Sequence, residues 1–141
     1  MAASGSAYDE AWLKLLHYHK TLNGYQGLVE NQEFYISSDG RNNPQAEFMA
    51  EVKAFAEEEE KCRFPARFNY LKQLGKVQGD LSGCKEYQQF MHDVRPNGIT
   101  ILFTNAYMSN PASLFGHTLV RIDTARKGTQ MLAHGSNFGA D

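Results

Sequence analysis

The residues with the strongest chemical character in this chain lie in the stretch NPASLFGHTLVRID, residues 110–123. A turn of small and polar residues leads into Gly116 and His117, which open a segment with the composition of a β-strand. A histidine in this position can be a hydrogen-bonded structural residue, a metal ligand or the base of a catalytic pair. On the local pattern alone, the structural role is the commonest of the three.

The neighbours of His117 would support a catalytic or binding role in two ways. Gly116 has no side chain, so another group could approach the imidazole closely. Asn110 and Ser113 could hydrogen-bond to the backbone of the turn or to a substrate. The alternative, that this turn only caps itself, stays open.

Metal and cofactor sites find no support in the sequence. His17 and His19 are two residues apart in a segment of helical periodicity, so they should point to different faces. The chain contains no H-E-x-x-H, paired C-x-x-C, Walker loop or dinucleotide fingerprint. We therefore predict neither a metal site nor a cofactor.

The composition sets limits on the partners. The chain has 141 residues, with 14 Lys and Arg against 16 Asp and Glu. The basic residues are scattered, whereas nucleic-acid binding needs clustered positive charge, so we predict no nucleic-acid partner. No apolar run approaches the length that spans a bilayer, and we predict no transmembrane segment in this chain.

The hydrophobic period changes along the chain from helical to strand-like. Four helices are predicted: from Tyr8 to a stop at Asn23 and Gly24, from Pro44 with Asn43 as its cap, from Pro65 to Gly75, and from Ser82 to the RPNG stretch. QEFYIS, between the first two helices, should be a short strand or an extended loop. ITILF, GHTLVRID and TQMLAHG are predicted strands. The fold class is therefore α+β, with a helical amino-terminal half followed by an antiparallel sheet.

The loop between the last two strands sets the partner of His117. A three-residue loop at 126–128 would pair Arg121 with Ala133 and His117 with Asn137, and would put His134 on the other face. A two-residue loop at Lys127 and Gly128 would bring His134 to the face of His117 instead. We favour the three-residue loop and Asn137.

Three stretches carry a resemblance to a known family: CRFPAR from Cys62, ILFTNAYMSNPASLFGHTLVRI ending at Ile122, and NFGA from Asn137. They resemble the Lnb amino-terminal periplasmic domain, a bacterial family long described as a domain of unknown function. The resemblance covers roughly the second half of the chain. It implies a periplasmic or cell-envelope location, a histidine at the Phe-Gly-His-Thr position, and an Asn-Cys-Thr motif further downstream.

The resemblance also implies a fold and an activity. A histidine strand followed by a cysteine helix is similar to circularly permuted papain-like enzymes, among them the lecithin retinol acyltransferase group. His117 would then be the base and acid of a thiol hydrolase or acyltransferase, and Asn137 or His134 would orient its ring. The nucleophile would lie beyond Asp141. The alternative is a non-catalytic envelope module that binds a partner not identifiable from the sequence.

These implications define two regions. Residues 1–60 would be a helical preamble that starts with an added leader, MAASGSAYDE, and residues 61–141 would be the first part of an Lnb-type domain cut short at its carboxyl end. The core of the permuted papain-like fold would then be incomplete. We expect these 141 residues alone to be catalytically inactive.

The two cysteines, Cys62 and Cys84, have two interpretations. In ordinary papain order Cys62 would be the nucleophile, but the helix predicted at Pro65 starts too late to put its amino-terminus on that thiol. Because the resemblance points to an exported protein, a disulfide between Cys62 and Cys84 is the favoured interpretation.

Overall fold

The computed structural model describes residues 6–104, 117–124 and 134–137. The helices are α1 Glu10–Leu15, α2 Pro44–Ala54, α3 Glu58–Arg63, α4 Pro65–Gln73 and α5 Lys85–Val94, with a short 3-10 helix at Gln32–Phe34. The strands are β1 Tyr18–Thr21, β2 Gly24–Gly27, β3 Pro96–Thr104, β4 His117–Thr124 and β5 His134–Asn137. Helices together with small antiparallel sheets confirm the α+β class, although the first hairpin lies between α1 and α2. The chain divides into two compact units, residues 1–87 and 88–141.

The amino-terminal unit is built around aromatic side chains from α1, α2 and α4. The indole of Trp12 is fully buried, packs edge-on against Phe48 at 5.2 Å between ring centroids and stacks on Tyr70 at 5.6 Å. Phe55 and Phe68 meet in a second edge-on pair at 6.0 Å. These contacts confirm that the helical stripes of this half form a hydrophobic core.

The first predicted helix is wrong in its second half. α1 ends at Leu15, and His17 has a left-handed backbone with φ 57°. β1 and β2 then pair antiparallel, with Thr21 opposite Gly24, so Leu22 and Asn23 form the hairpin connection and Gly24 opens β2. An Asn-Gly pair is a strong hairpin signal as well as a helix stop, and here it serves the hairpin. His17 and His19 therefore do not share a helix.

The later helices follow the sequence signals closely. Asn43 caps α2, because its side-chain oxygen accepts the N–H of Ala46 at 3.0 Å and Pro44 takes the first helical position. α4 begins at Pro65, and Gly75 follows its end with φ 69°, a left-handed conformation that glycine adopts readily. The QEFYIS stretch contains the 3-10 turn at Gln32–Phe34 before the chain extends at Tyr35.

The carboxy-terminal unit contains a three-stranded antiparallel sheet in the order β3-β4-β5. β4 is the central strand, which puts His117 at its first position. Thr104 pairs with His117, Thr100 with Arg121, and Gly98 with Asp123. The register shifts between Pro96 and Gly98, where proline starts the edge strand.

The pairing of β4 with β5 corrects our predicted register. Asn137 lies opposite Leu119, and Gly135 lies opposite Arg121. The predicted pairs of Asn137 with His117 and of Arg121 with Ala133 are therefore wrong by two residues. In a hairpin the length of the connection fixes the register, and the observed pairs enclose two more residues than we expected. The predicted loop itself lies outside the described residues.

Candidate functional site

The sheet of the carboxy-terminal unit presents two faces of different chemistry. Side chains alternate along a strand, and directly paired residues share a face. One face takes the register positions of His117 and Asn137, and we call it the histidine face. It also contains Thr100, Arg121 and Asp123.

A hydrogen-bonded network joins three side chains of the histidine face across β3 and β4. Thr100 donates its hydroxyl to Asp123 Oδ2 at 2.6 Å, and Arg121 Nε donates to Asp123 Oδ1 at 2.8 Å. Arg121 Nη2 also lies 3.3 Å from the hydroxyl oxygen of Thr100. Each of the three side chains thus contacts the other two, which fixes the pairing of the strand that begins at His117.

The network sets the charge of this part of the face. The hydroxyl of Thr100 beside Asp123 lowers the pKa of that carboxyl below its usual value, and the guanidinium of Arg121 lowers it further. Asp123 is therefore an anion at neutral pH, matched by the cation of Arg121. The carboxylate of Asp123 and the guanidinium of Arg121 therefore balance each other's charge on this face.

This network was missed from the sequence, although part of its signal is visible there. Arg121 and Asp123 are two residues apart in a predicted strand, so the strand period puts them on one face. Thr100 belongs to another strand, and only the register between β3 and β4 brings its hydroxyl to Asp123. No spacing rule within one segment could have found that contact.

The opposite face of the sheet is apolar on its edge strand. Ile99, Ile101 and Phe103 are each 71% exposed, and they alternate along β3 on the face away from Thr100. We call these three residues the apolar patch. Val120 and Ile122 are paired with Ile101 and Ile99 on the same face. An apolar surface of this kind marks an interaction site or an unfilled core.

The predicted site residues fall into three groups. Asn110, Ser113 and Gly116 lie outside the described residues. His117 and Asn137 are diagonal neighbours in the sheet, because Asn137 pairs with the residue two positions beyond His117. His134 pairs with Ile122 and so takes a position on the other face.

The two cysteines form the predicted disulfide. The sulfur atoms of Cys62 and Cys84 are 1.98 Å apart and their α-carbons 5.1 Å apart. The bridge joins α3 to the residue before α5, so Cys62 has no free thiol with which to act as a nucleophile. Among the described residues, no group of histidine, cysteine and acidic side chains could hold a metal ion.

Comparison with known families divides the chain in a similar way to its compact units. Residues 7–74 match the model of a domain of unknown function, DUF7843. Residues 86–141 match the model of the Lnb N-terminal periplasmic domain. No curated protein and no solved structure matches the chain.

The second match identifies the part of the chain that carries the histidine face. It begins near the start of α5 and includes β3, β4 and β5. In the part of the chain that the structure describes, no helix is both long enough and apolar enough to cross a membrane. The match of residues 86–141 to the Lnb N-terminal periplasmic domain implies that this protein is periplasmic.

Proposed function

We propose that the carboxy-terminal part of this chain supplies the histidine of a thiol hydrolase or acyltransferase domain of the bacterial cell envelope. The observation that supports this most directly is the register of the sheet. It puts His117 and Asn137 at diagonal positions of one face, although not directly opposite each other as we expected. In that arrangement Asn137 can still orient the imidazole of His117.

The proposed roles follow from the chemistry of cysteine. A thiol becomes a strong nucleophile as a thiolate, and a histidine beside it takes its proton and later protonates the leaving group. His117 would act as this base and acid, and Asn137 would hold one ring nitrogen. The nucleophilic cysteine would follow residue 141, because Cys62 and Cys84 are joined to each other.

The domain organisation is part of the proposal. Residues 61–141 would be the first part of a longer domain of permuted papain-like fold, with residues 1–60 as a helical preamble. The apolar patch supports this interpretation, because three large side chains on one strand face are exposed. A downstream segment would cover such a surface and complete the core, while the cysteine would approach His117 from the histidine face, on the other side of the sheet. Asn110, Ser113 and Gly116 would line the substrate groove beside His117.

Kinetics on the protein with its downstream segment test the catalytic proposal. His117→Ala should lower turnover of an activated ester by about 10²- to 10⁴-fold, because the cysteine loses its base. Thr118→Ala is the matched control, since Thr118 is exposed and takes the other face of β4. Full activity in the His117→Ala protein would contradict the proposed role. So would turnover by residues 1–141 alone that depends on His117.

A second candidate function is a non-catalytic envelope module that binds a protein partner through the apolar patch. The exposure of Ile99, Ile101 and Phe103 favours it independently of the histidine. Ile101→Lys would then abolish partner binding while His117→Ala leaves it unchanged. Under the catalytic proposal, His117→Ala lowers turnover and does so whether or not a partner binds the apolar patch.

A further inference from the structure

Three charged side chains are buried together in the amino-terminal unit, far along the chain from the histidine face. Glu47 and Glu51 lie one turn apart on α2, and Arg67 lies on α4. Both glutamates are fully buried, and Arg67 is 4% exposed. Charged residues are almost never buried to this extent unless they are paired, so the pairing of each one decides what the cluster does.

Glu47 holds a neighbouring segment of backbone. Its Oε1 accepts the N–H of Ile36 and its Oε2 accepts the N–H of Ser37, each at 2.8 Å. Its carboxylate also lies against Gly40. Tyr18 on β1 donates its hydroxyl to the carbonyl of Gly40, which connects this segment to the hairpin. Both oxygens of Glu47 are thus used to fix residues 36–40.

Arg67 provides the only positive charge in the cluster. Its Nη1 lies 2.8 Å from Glu51 Oε1 and 3.7 Å from Glu47 Oε1. The rings of Phe34 and Phe64 each lie 4.1 Å from the guanidinium carbon, so aromatic faces replace water around it. One guanidinium faces two carboxyl groups, and full ionisation would leave a net buried negative charge.

We propose that Glu47, Glu51 and Arg67 form a proton-dependent latch. With one proton on the two carboxyl groups, the cluster is neutral and residues 36–40 are held against α2. Loss of that proton at alkaline pH puts a second negative charge beside Glu47 and loosens the segment and the hairpin that it contacts.

The environment of Glu51 favours the protonated form. Burial raises the pKa of the Glu51 carboxyl to about 8, with the charge of Arg67 acting against this shift and that of Glu47 adding to it. Glu51 Oε2 and Arg67 Nη2 are buried and have no hydrogen-bond partner among the described residues. The second oxygen of Glu51 is therefore not stabilised as an anion.

The neighbouring tyrosines and Arg41 do not change charge in the pH range in which Glu51 loses its proton. Tyr18 on β1 and Tyr35 after the 3-10 helix lie close enough to feel the charges of the cluster. Burial raises the pKa of both hydroxyls. Both tyrosines are therefore neutral across the range in which Glu51 titrates. Arg41 acts on Tyr35 and is a constant positive charge. The change of charge at mildly alkaline pH belongs to the carboxyl pair.

Carbon-13 NMR of the glutamate side chains tests the latch in the unmodified chain. The carboxyl carbon of Glu51 should titrate with a midpoint near pH 8, and the amide protons of Ile36 and Ser37 should shift with the same midpoint. A Glu51 midpoint near its usual value of 4.5 would overturn the proposal. So would a midpoint near 8 with no response at the two amides.

Unfolding measured against pH gives a second, independent test with Glu51→Gln. The pKa of Glu51 is raised on folding, so its stabilising contribution is present at low pH and is lost as pH rises to about 8. Between the unfolded pKa of Glu51, 4.5, and its folded pKa, about 8, the unfolding constant of the unmodified protein should rise by up to about tenfold per pH unit. This rise is measured relative to Glu51→Gln, which has no carboxyl group to titrate at this position. Glu86→Gln, on the exposed start of α5, should keep the slope of the unmodified protein. Equal slopes in the unmodified protein and Glu51→Gln would overturn the latch.

Discussion

The carboxylate of Glu47 occupies the space that a side chain on Gly40 would need. A β-carbon at Gly40 would overlap Glu47 Oε2 and would also meet the β-carbon of Tyr35 at 2.8 Å. Gly40 is therefore required by the contact of its segment with α2. The buried carboxylate and the glycine depend on each other.

Gly40→Ala should accordingly destabilise the protein by about 1–3 kcal/mol, the usual cost of overpacking a core. Chemical denaturation measures the loss. Ser38→Ala, at an exposed position of the same segment, should change the free energy of unfolding by less than about 0.5 kcal/mol. A stable Gly40→Ala protein would show that residues 36–40 can move away from Glu47 at little cost.

Arg67→Met should destabilise the protein by about 3–5 kcal/mol at neutral pH, because it leaves two buried carboxyl groups without their cation. Urea unfolding of the variant and of the unmodified protein measures the loss. Arg63→Met is the control, since its pair with Glu60 is partly exposed and worth at most about 1 kcal/mol.

Replacing Cys62 and Cys84 together by serine should lower the free energy of unfolding by about 3 kcal/mol in the chain-entropy model, given their sequence separation of 22. Unfolding of the oxidised, reduced and double-serine proteins provides the comparison. The reduced protein should resemble the double-serine variant. Two alkylated thiols in the unreduced, denatured protein would contradict the disulfide.

Asp123 should titrate below the usual pKa of 3.8, because Thr100 and Arg121 hydrogen-bond to its charged form. Since folding lowers this pKa, the stabilising contribution is present above the unfolded value and is lost as pH falls through the folded value. Carbon-13 NMR of the carboxyl group follows it. Thr100→Val should raise the midpoint, whereas Thr118→Val on the other face should leave it unchanged.

The sequence predicted those parts of the fold whose signals are local. Asn43 and Pro44 marked the start of α2, and Gly75 marked the end of α4, because caps and turns depend on a few adjacent residues. The α+β class followed from the change in hydrophobic period along the chain. The disulfide followed from the periplasmic location that the family resemblance implies. The hairpin after α1 was missed because Asn23 and Gly24 fit both a helix stop and a β-turn, and local pattern could not choose between them.

What the sequence could not predict depends on contacts between distant segments. The distance from Ile36 to Glu47 or from Glu51 to Arg67 is set by packing, and nothing in α2 alone marked its glutamates as buried. The two-residue error in pairing Asn137 had the same origin, since the register depends on a connection whose length we could only assume. At the candidate site, residue types were predictable and their partners were not.

The bridge between Cys62 and Cys84 spans the junction between the two family matches. Cys62 lies inside the first matched region, and Cys84 lies two residues before the second. A protease that cut the chain between Gly75 and Gly83 would therefore leave both regions covalently connected. The nicked protein would run as one band on a non-reducing gel and as two after reduction, so loss of a single peptide bond in the periplasm would not separate the two modules.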